Sequence, residues 1–163
     1  MASHRLVLLR HAKSDWSVPV SDRERPLAAR GRRQAPRAGA WLAEHIPGID
    51  LALVSPARRA RETWELASAE LAEAPPVRVE EGLYAFGPDG PLDLIRDLAT
   101  SLGAVVLVGH NPTSEDLVEE LTGDYVALPT SALAIVDLAD GWASAGDGQA
   151  TLVAAGRPPA PLR

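Results

Sequence analysis

Two histidines, each following a short apolar run, carry the chemistry this sequence can support. His11 follows Leu6–Leu9 and stands between Arg10 and Lys13, while His110 follows Val105–Val108 in the segment Gly109-His110-Asn111-Pro112. A third run, Leu51–Val54, leads into Ser55-Pro56 with Arg58 and Arg59 just beyond. An unprotonated imidazole is a nucleophile or a general base. Arg10, Lys13 and Arg59 would repel one another unless an anion lay among them. A phosphoryl group fits that demand, because guanidinium forks match its oxygens and helix N-termini after Ser55 and Asn111 would add backbone N–H donors.

Competing chemistries fall away on composition. The chain has no cysteine, which excludes thiolate zinc sites, disulfides and a cysteine nucleophile. Two histidines without a neighbouring acidic motif are too few ligands for a binuclear metal centre, so neither a metal nor a cofactor is expected. Residues 1–64 hold 12 Lys+Arg against 6 Asp+Glu and residues 65–163 hold 4 against 16, giving +6 and −12. Such asymmetry can mark nucleic-acid binding, but a net charge of −6 and 4% aromatic residues argue against it. Arg32, Arg33 and Arg37 read instead as a solvated helix face. No apolar run near the start is long enough for a signal-peptide core or a membrane span, so the expectation is a cytoplasmic protein without membrane contact.

The residues of interest need elements to position them. Strands are predicted over Arg5–Leu9, Leu51–Val54, Val105–Val108 and Ala132–Leu138, and helices over Arg30–His45, Arg58–Leu71, Leu92–Leu102 and Pro112–Leu121. That alternation predicts one α/β domain over residues 1–163, a three-layer α/β/α sandwich on a mostly parallel central sheet. Ligands of such sheets bind outside the carboxyl ends of the strands, where His11, Ser55 and His110 all fall. Pro36 should bend or delay the first helix. Phe86–Pro91 and Asp140–Gly148 read as loops, the second joining two late antiparallel strands, and residues 156–163 (GRPPAPLR) as an extended tail.

Three segments resemble one known family. RHAKSDWS resembles the RHG motif of the histidine phosphatase superfamily, in its phosphoglycerate mutase-like branch, with Ala12 where glycine is usual. SPARRARET resembles that family's S-P-x-x-R-A-x-x-T signature and assigns its arginine to Arg59, and VGHNP resembles the segment with the second catalytic histidine. DRERPLAARGRRQA and LPTSALAIV extend the similarity through most of the chain, which is most like the SixA-type phosphohistidine phosphatases.

The resemblance implies that His11 is the nucleophile of a metal-independent phosphohydrolase, forming a phosphohistidine that water then hydrolyses. It implies catalytic roles for Arg10, Arg59 and His110, and a phosphate-binding set of Arg10, Arg59, His110, Ser17, Lys13 and Asn111. Ser17 stands where many relatives carry asparagine, and Lys13, the only lysine, would add charge at the rim. Relatives that cleave phosphate esters carry a general acid after the second helix; Glu80, Glu81 and Asp89 are the candidates here, with Glu81 preferred. The expected substrate is a phosphohistidine-type phosphoramidate, on a protein or a small molecule. The rival readings are a general small-molecule phosphomonoesterase and a non-catalytic phosphate-binding module.

Overall fold

The computed structural model describes residues 3–160. Strand β1 (His4–Arg10) is followed by α1 (Ala29–His45), β2 (Leu51–Val54), α2 (Arg58–Ser68), β3 (Val77–Val79), α3 (Asp89–Arg96), β4 (Ala104–Gly109), α4 (Thr113–Thr122), β5 (Leu133–Leu138) and β6 (Thr151–Gly156). Short 3-10 turns occupy Asp22–Glu24 and Glu81–Leu83. The strands form one six-stranded sheet in the order β3-β2-β4-β1-β5-β6. The first four of these run parallel, and β5 is antiparallel to both of its neighbours.

Side chains alternate across this sheet, and each face has its own core. Val7, Leu9, Val54, Val108 and Ile135 pack with Trp41 and Leu42 of α1 and Trp64 of α2. Leu6, Leu8, Leu53, Leu107 and Val136 pack on the other side with Ile95 of α3 and Leu117 and Leu121 of α4. The strands are therefore near-continuous apolar runs because both faces are covered. From β1 the chain moves outward to β2 and β3, then returns to lay β4 between β2 and β1. The order reverses at β1 and β4, and that reversal opens the crevice where parallel sheets bind ligands. Their register pairs Arg10 with Gly109, so His11 and His110 leave adjacent strands side by side.

Several boundaries differ from expectation. Helix α2 ends at Ser68, short of Leu71. Helix α3 begins at Asp89, inside the segment read as a loop, and ends at Arg96 instead of spanning Leu92–Leu102. Pro88 and Asp89 supply a helix start there, and Leu98 and Leu102 continue the apolar spacing in turns, bonding to Ile95 and Ala99. Strand β3 was not expected: three exposed residues at the sheet edge carry no readable period. Helix α1 runs through Pro36 without interruption. The expected late antiparallel pair is present as β5 and β6. The tail bends at Arg157 and Pro158, and its last residues, 161–163, lie outside the described ones. Among the described residues, no helix is long and apolar enough to cross a membrane.

Candidate active site

β1 delivers Arg10 and then His11 to the carboxyl edge of the sheet, and the backbone that follows is fastened from three directions. His11 N–H donates to the Gly109 carbonyl of β4 (3.0 Å), Ala12 N–H to Thr63 Oγ1 of α2 (2.9 Å), and Lys13 N–H to Gln34 Oε1 of α1 (2.9 Å). Thr63 Oγ1 itself donates to the Arg59 carbonyl. The signature threonine thus couples the His11 segment to the helix that carries Arg59. Helix α1 presses so closely that a Cβ on Gly31 would stand 2.1 Å from the Lys13 carbonyl oxygen. A glycine is required for that backbone approach.

His11 is 7% exposed, and its Nδ1 lies 2.7 Å from the Ala12 carbonyl oxygen. A carbonyl can only accept, so Nδ1 carries the ring proton and Nε2 keeps its lone pair. Burial drives the His11 pKa down to about 3, and the charges of Arg59 and Arg10 lower it as well. The ring of His110 lies 5.2 Å away, centroid to centroid. Its Nε2 is 2.7 Å from Ser55 Oγ, which also accepts the Ala57 N–H, and its Nδ1 is buried without a partner. Burial and then Arg59 hold His110 at a pKa of about 4.

Arg59, at the start of α2, is also 7% exposed. Its Nη1 donates to the Asp22 carbonyl (2.7 Å) and its Nη2 to the Asp22 carboxylate (3.1 Å), leaving Nε buried and unpartnered. Asp22 also accepts from Tyr84 Oη and from Arg25 Nη1 (2.6 Å). Those bonds, the Tyr84 one foremost, hold its carboxyl far below the usual range and therefore ionised. Arg10 Nη1 and Asn111 Nδ2 share the Leu128 carbonyl at 2.9 and 2.8 Å, and Leu128 N–H is held by Glu115 (2.7 Å). Arg10 Nε is buried without a partner, as is Asn111 Oδ1. A cavity of about 330 Å³ lies beside this group, lined in part by Asp22, Arg59, Tyr84, Phe86, His110 and Asn111; Arg10 and His11 are not among its lining residues.

Arg10, His11, Arg59 and His110 are therefore brought together, with Asn111 beside them. Other expected residues are not. Ser17 is exposed and spends its hydroxyl and N–H on Asp15, because the loop turns back on itself there. The Lys13 segment is held through its backbone, and its half-buried side chain makes no ion pair among the described residues. Glu81 pairs with Arg23, its side chain is 76% exposed, and it is not among the cavity-lining residues. Glu80 faces Arg78, and Asp89 sits in the first turn of α3. Sequence reasoning gave no role to Asp22, Arg25, Thr63, Tyr84 or Glu115. DRERP marked the first two only as part of a longer similarity, and the tyrosine had no flanking pattern at all. Among the described residues, no three His, Cys, Asp or Glu side chains gather closely enough to hold a metal ion.

Known proteins resemble this chain in sequence and in fold. The family model of the histidine phosphatase superfamily (branch 1) matches residues 6–86. An uncharacterised protein of Mycobacterium tuberculosis is 35% identical over 156 residues, covering 89% of this chain and 96% of its own. A phosphohistidine phosphatase SixA homolog of Haemophilus influenzae is 29% identical, covering 72% of this chain and 77% of its own. Among solved structures, a candidate phosphohistidine phosphatase SixA from Nakamurella multipartitia superposes with a TM-score of 0.83 at 28% identity over 96% of both chains. The protein histidine phosphatase SixA complexed with tungstate superposes with a TM-score of 0.76 at 26% identity, over 93% of this chain and 95% of that one. Motifs, sheet order and the paired histidines converge on one conclusion: the chain belongs to the histidine phosphatase superfamily and is a phosphate-releasing hydrolase of the SixA-like kind.

Proposed function

We propose that the protein is a phosphohistidine phosphatase, cleaving the P–N bond of a phosphoramidate carried by a protein. The lone pair of His11 Nε2 attacks phosphorus, the P–N bond breaks, and the leaving imidazole nitrogen takes its electron pair and a proton from solvent. Water then attacks the phosphohistidine, restoring His11 and releasing inorganic phosphate. Arg10 and Arg59 offer their unpartnered N–H groups to the equatorial oxygens. With Ser55 donating to His110 Nε2, the proton of the neutral ring sits on Nδ1, and that atom adds a neutral donor to the two charged ones.

One observation carries the choice of a P–N substrate. Among the described residues, Asp22 is the one carboxylate lining the cavity, and three donors hold it ionised. An ionised carboxylate has no proton to give an alkoxide, whereas an imidazole nitrogen is a much weaker base and leaves with little help. The competing reading, a small-molecule phosphomonoesterase, is favoured by the Tyr84 hydroxyl, which lines the same cavity. The two separate on kcat/KM for a phosphohistidine peptide and for an alkyl phosphate. Preference for the peptide, kept in Glu81→Gln and Tyr84→Phe, supports the proposal. Efficient alkyl-phosphate turnover that collapses in either variant would overturn it.

A further inference from the structure

A second cavity, of about 470 Å³, shares no lining residue with the first. Arg30, Arg33, Gln34 and Arg37 line one wall; they are spaced three and four apart and so share one face of α1. Arg157, just past β6, faces them, and Ser131 joins the lining. Four guanidinium groups therefore surround one opening. Among the described residues none of the four pairs with a carboxylate, although Arg32, on the same helix, reaches Glu62. An acid is within reach of the neighbouring face, and among the described residues none pairs with an arginine of this one.

The cavity is also built into the catalytic segment. Ser131 is 2% exposed, takes an uncommon positive φ of 64°, and leaves its Oγ buried without a partner. Its N–H donates to the His11 carbonyl (3.0 Å), and Gln34 on the opposite wall accepts the Lys13 N–H (2.9 Å). Burial lowers the pKa of Arg10, the charge of Glu115 raises it, and the charge of Arg157 lowers it, so Arg10 and Arg157 feel one another. Like charges gathered without counter-charge around a concave surface attract a multiply charged anion.

We propose that this arginine-lined cavity is a second anion-binding site, separate from the phosphoryl-transfer centre and shaped for a phosphate-rich anion. The anion is either a further phosphate group of the substrate itself or a free polyphosphate bound beside it. Guanidinium forks recognise phosphate oxygens two at a time, and a cluster of four suits two or more phosphate groups better than one.

The test is calorimetric titration of the full chain with inorganic tripolyphosphate while tungstate occupies the catalytic centre. Because it reads binding, it stands whether or not the phosphohistidine reading holds. One site is expected, weakened about tenfold or more in R33Q/R37Q and in Arg157→Gln, and unchanged in Arg32→Gln. The exposed positions of these arginines keep folding intact, which thermal melting verifies. Turnover of an aryl monophosphate and of the same compound bearing a second phosphate distinguishes the sources. A bisphosphate preference lost in R33Q/R37Q assigns the site to substrate, and equal turnover with tripolyphosphate binding retained assigns it to a free anion. Absence of tripolyphosphate binding, equal binding in the double variant, or tighter binding of polyglutamate would each overturn the proposal.

Discussion

Arg59 and Asp22 are joined twice, through the Asp22 backbone carbonyl at 2.7 Å and through its carboxylate at 3.1 Å. The second bond orients the guanidinium and the first survives any change of the Asp22 side chain. Asp22→Ala should therefore lower kcat about tenfold, a loss of orientation, while Arg59→Ala should lower it about 100-fold or more by removing the charge. Arg58, one residue earlier, faces Glu62 at 3.5 Å on the exposed side of α2, and Arg58→Ala should turn over within about twofold of wild type. Steady-state kinetics on one aryl phosphate read all three. Equal losses in Arg58→Ala and Arg59→Ala would misplace the signature arginine.

Gly31 meets the Lys13 carbonyl where a Cβ would be 2.1 Å away, and that oxygen also accepts the Ala28 N–H (2.9 Å). Gly31→Ala should push α1 off the catalytic segment, lowering stability by about 1–3 kcal/mol and activity along with it. Gly48 has a positive φ of 78° but open space around it, so Gly48→Ala should cost stability without a matching loss of specific activity. Urea unfolding and turnover of the two variants check the contrast.

Acid should destabilise the protein early. Burial keeps His11 and His110 at pKa values of about 3 and 4, against about 6.5 in an unfolded chain. Between those values the unfolded state binds more protons, so stability is greatest above the unfolded value and is lost as pH falls from about 7 towards 4. The Asp22 carboxyl, depressed by Tyr84 and its arginines, adds to the loss only below the ordinary carboxylate range. Urea midpoints at pH 7 and pH 4.5 should differ clearly, and His110→Asn should flatten the difference. A midpoint that does not move would contradict the buried, neutral state of both rings.

The layout of strands was legible because β1, β2 and β4 are buried on both faces and read as unbroken apolar runs. The ends of α2 and α3 were not, because apolar spacing continues into turns at Leu98 and Leu102 that a 3.6-residue period does not distinguish from helix. In the site, the two histidines and Arg59 could be found because each follows a strand or opens a helix in a fixed motif. Asp22, Tyr84 and Glu115 could not, because their roles arise from contacts 37, 62 and 13 residues apart in sequence. Arg33 and Arg37 were read as a solvated face, and only the approach of Arg157 from beyond β6 turns that face into a cavity wall.

The proposed mechanism rests on His11 Nε2 as the nucleophile, and trapping the intermediate tests that most directly. The protein is mixed with a phosphoramidate carrying radiolabelled phosphorus and quenched in alkali within the first turnover. The expected result is label bound to protein, stable to alkali, released by acid, and mapped to the peptide containing His11, with none in His11→Ala. Turnover without any protein-bound label, or label that persists in His11→Ala, would contradict it.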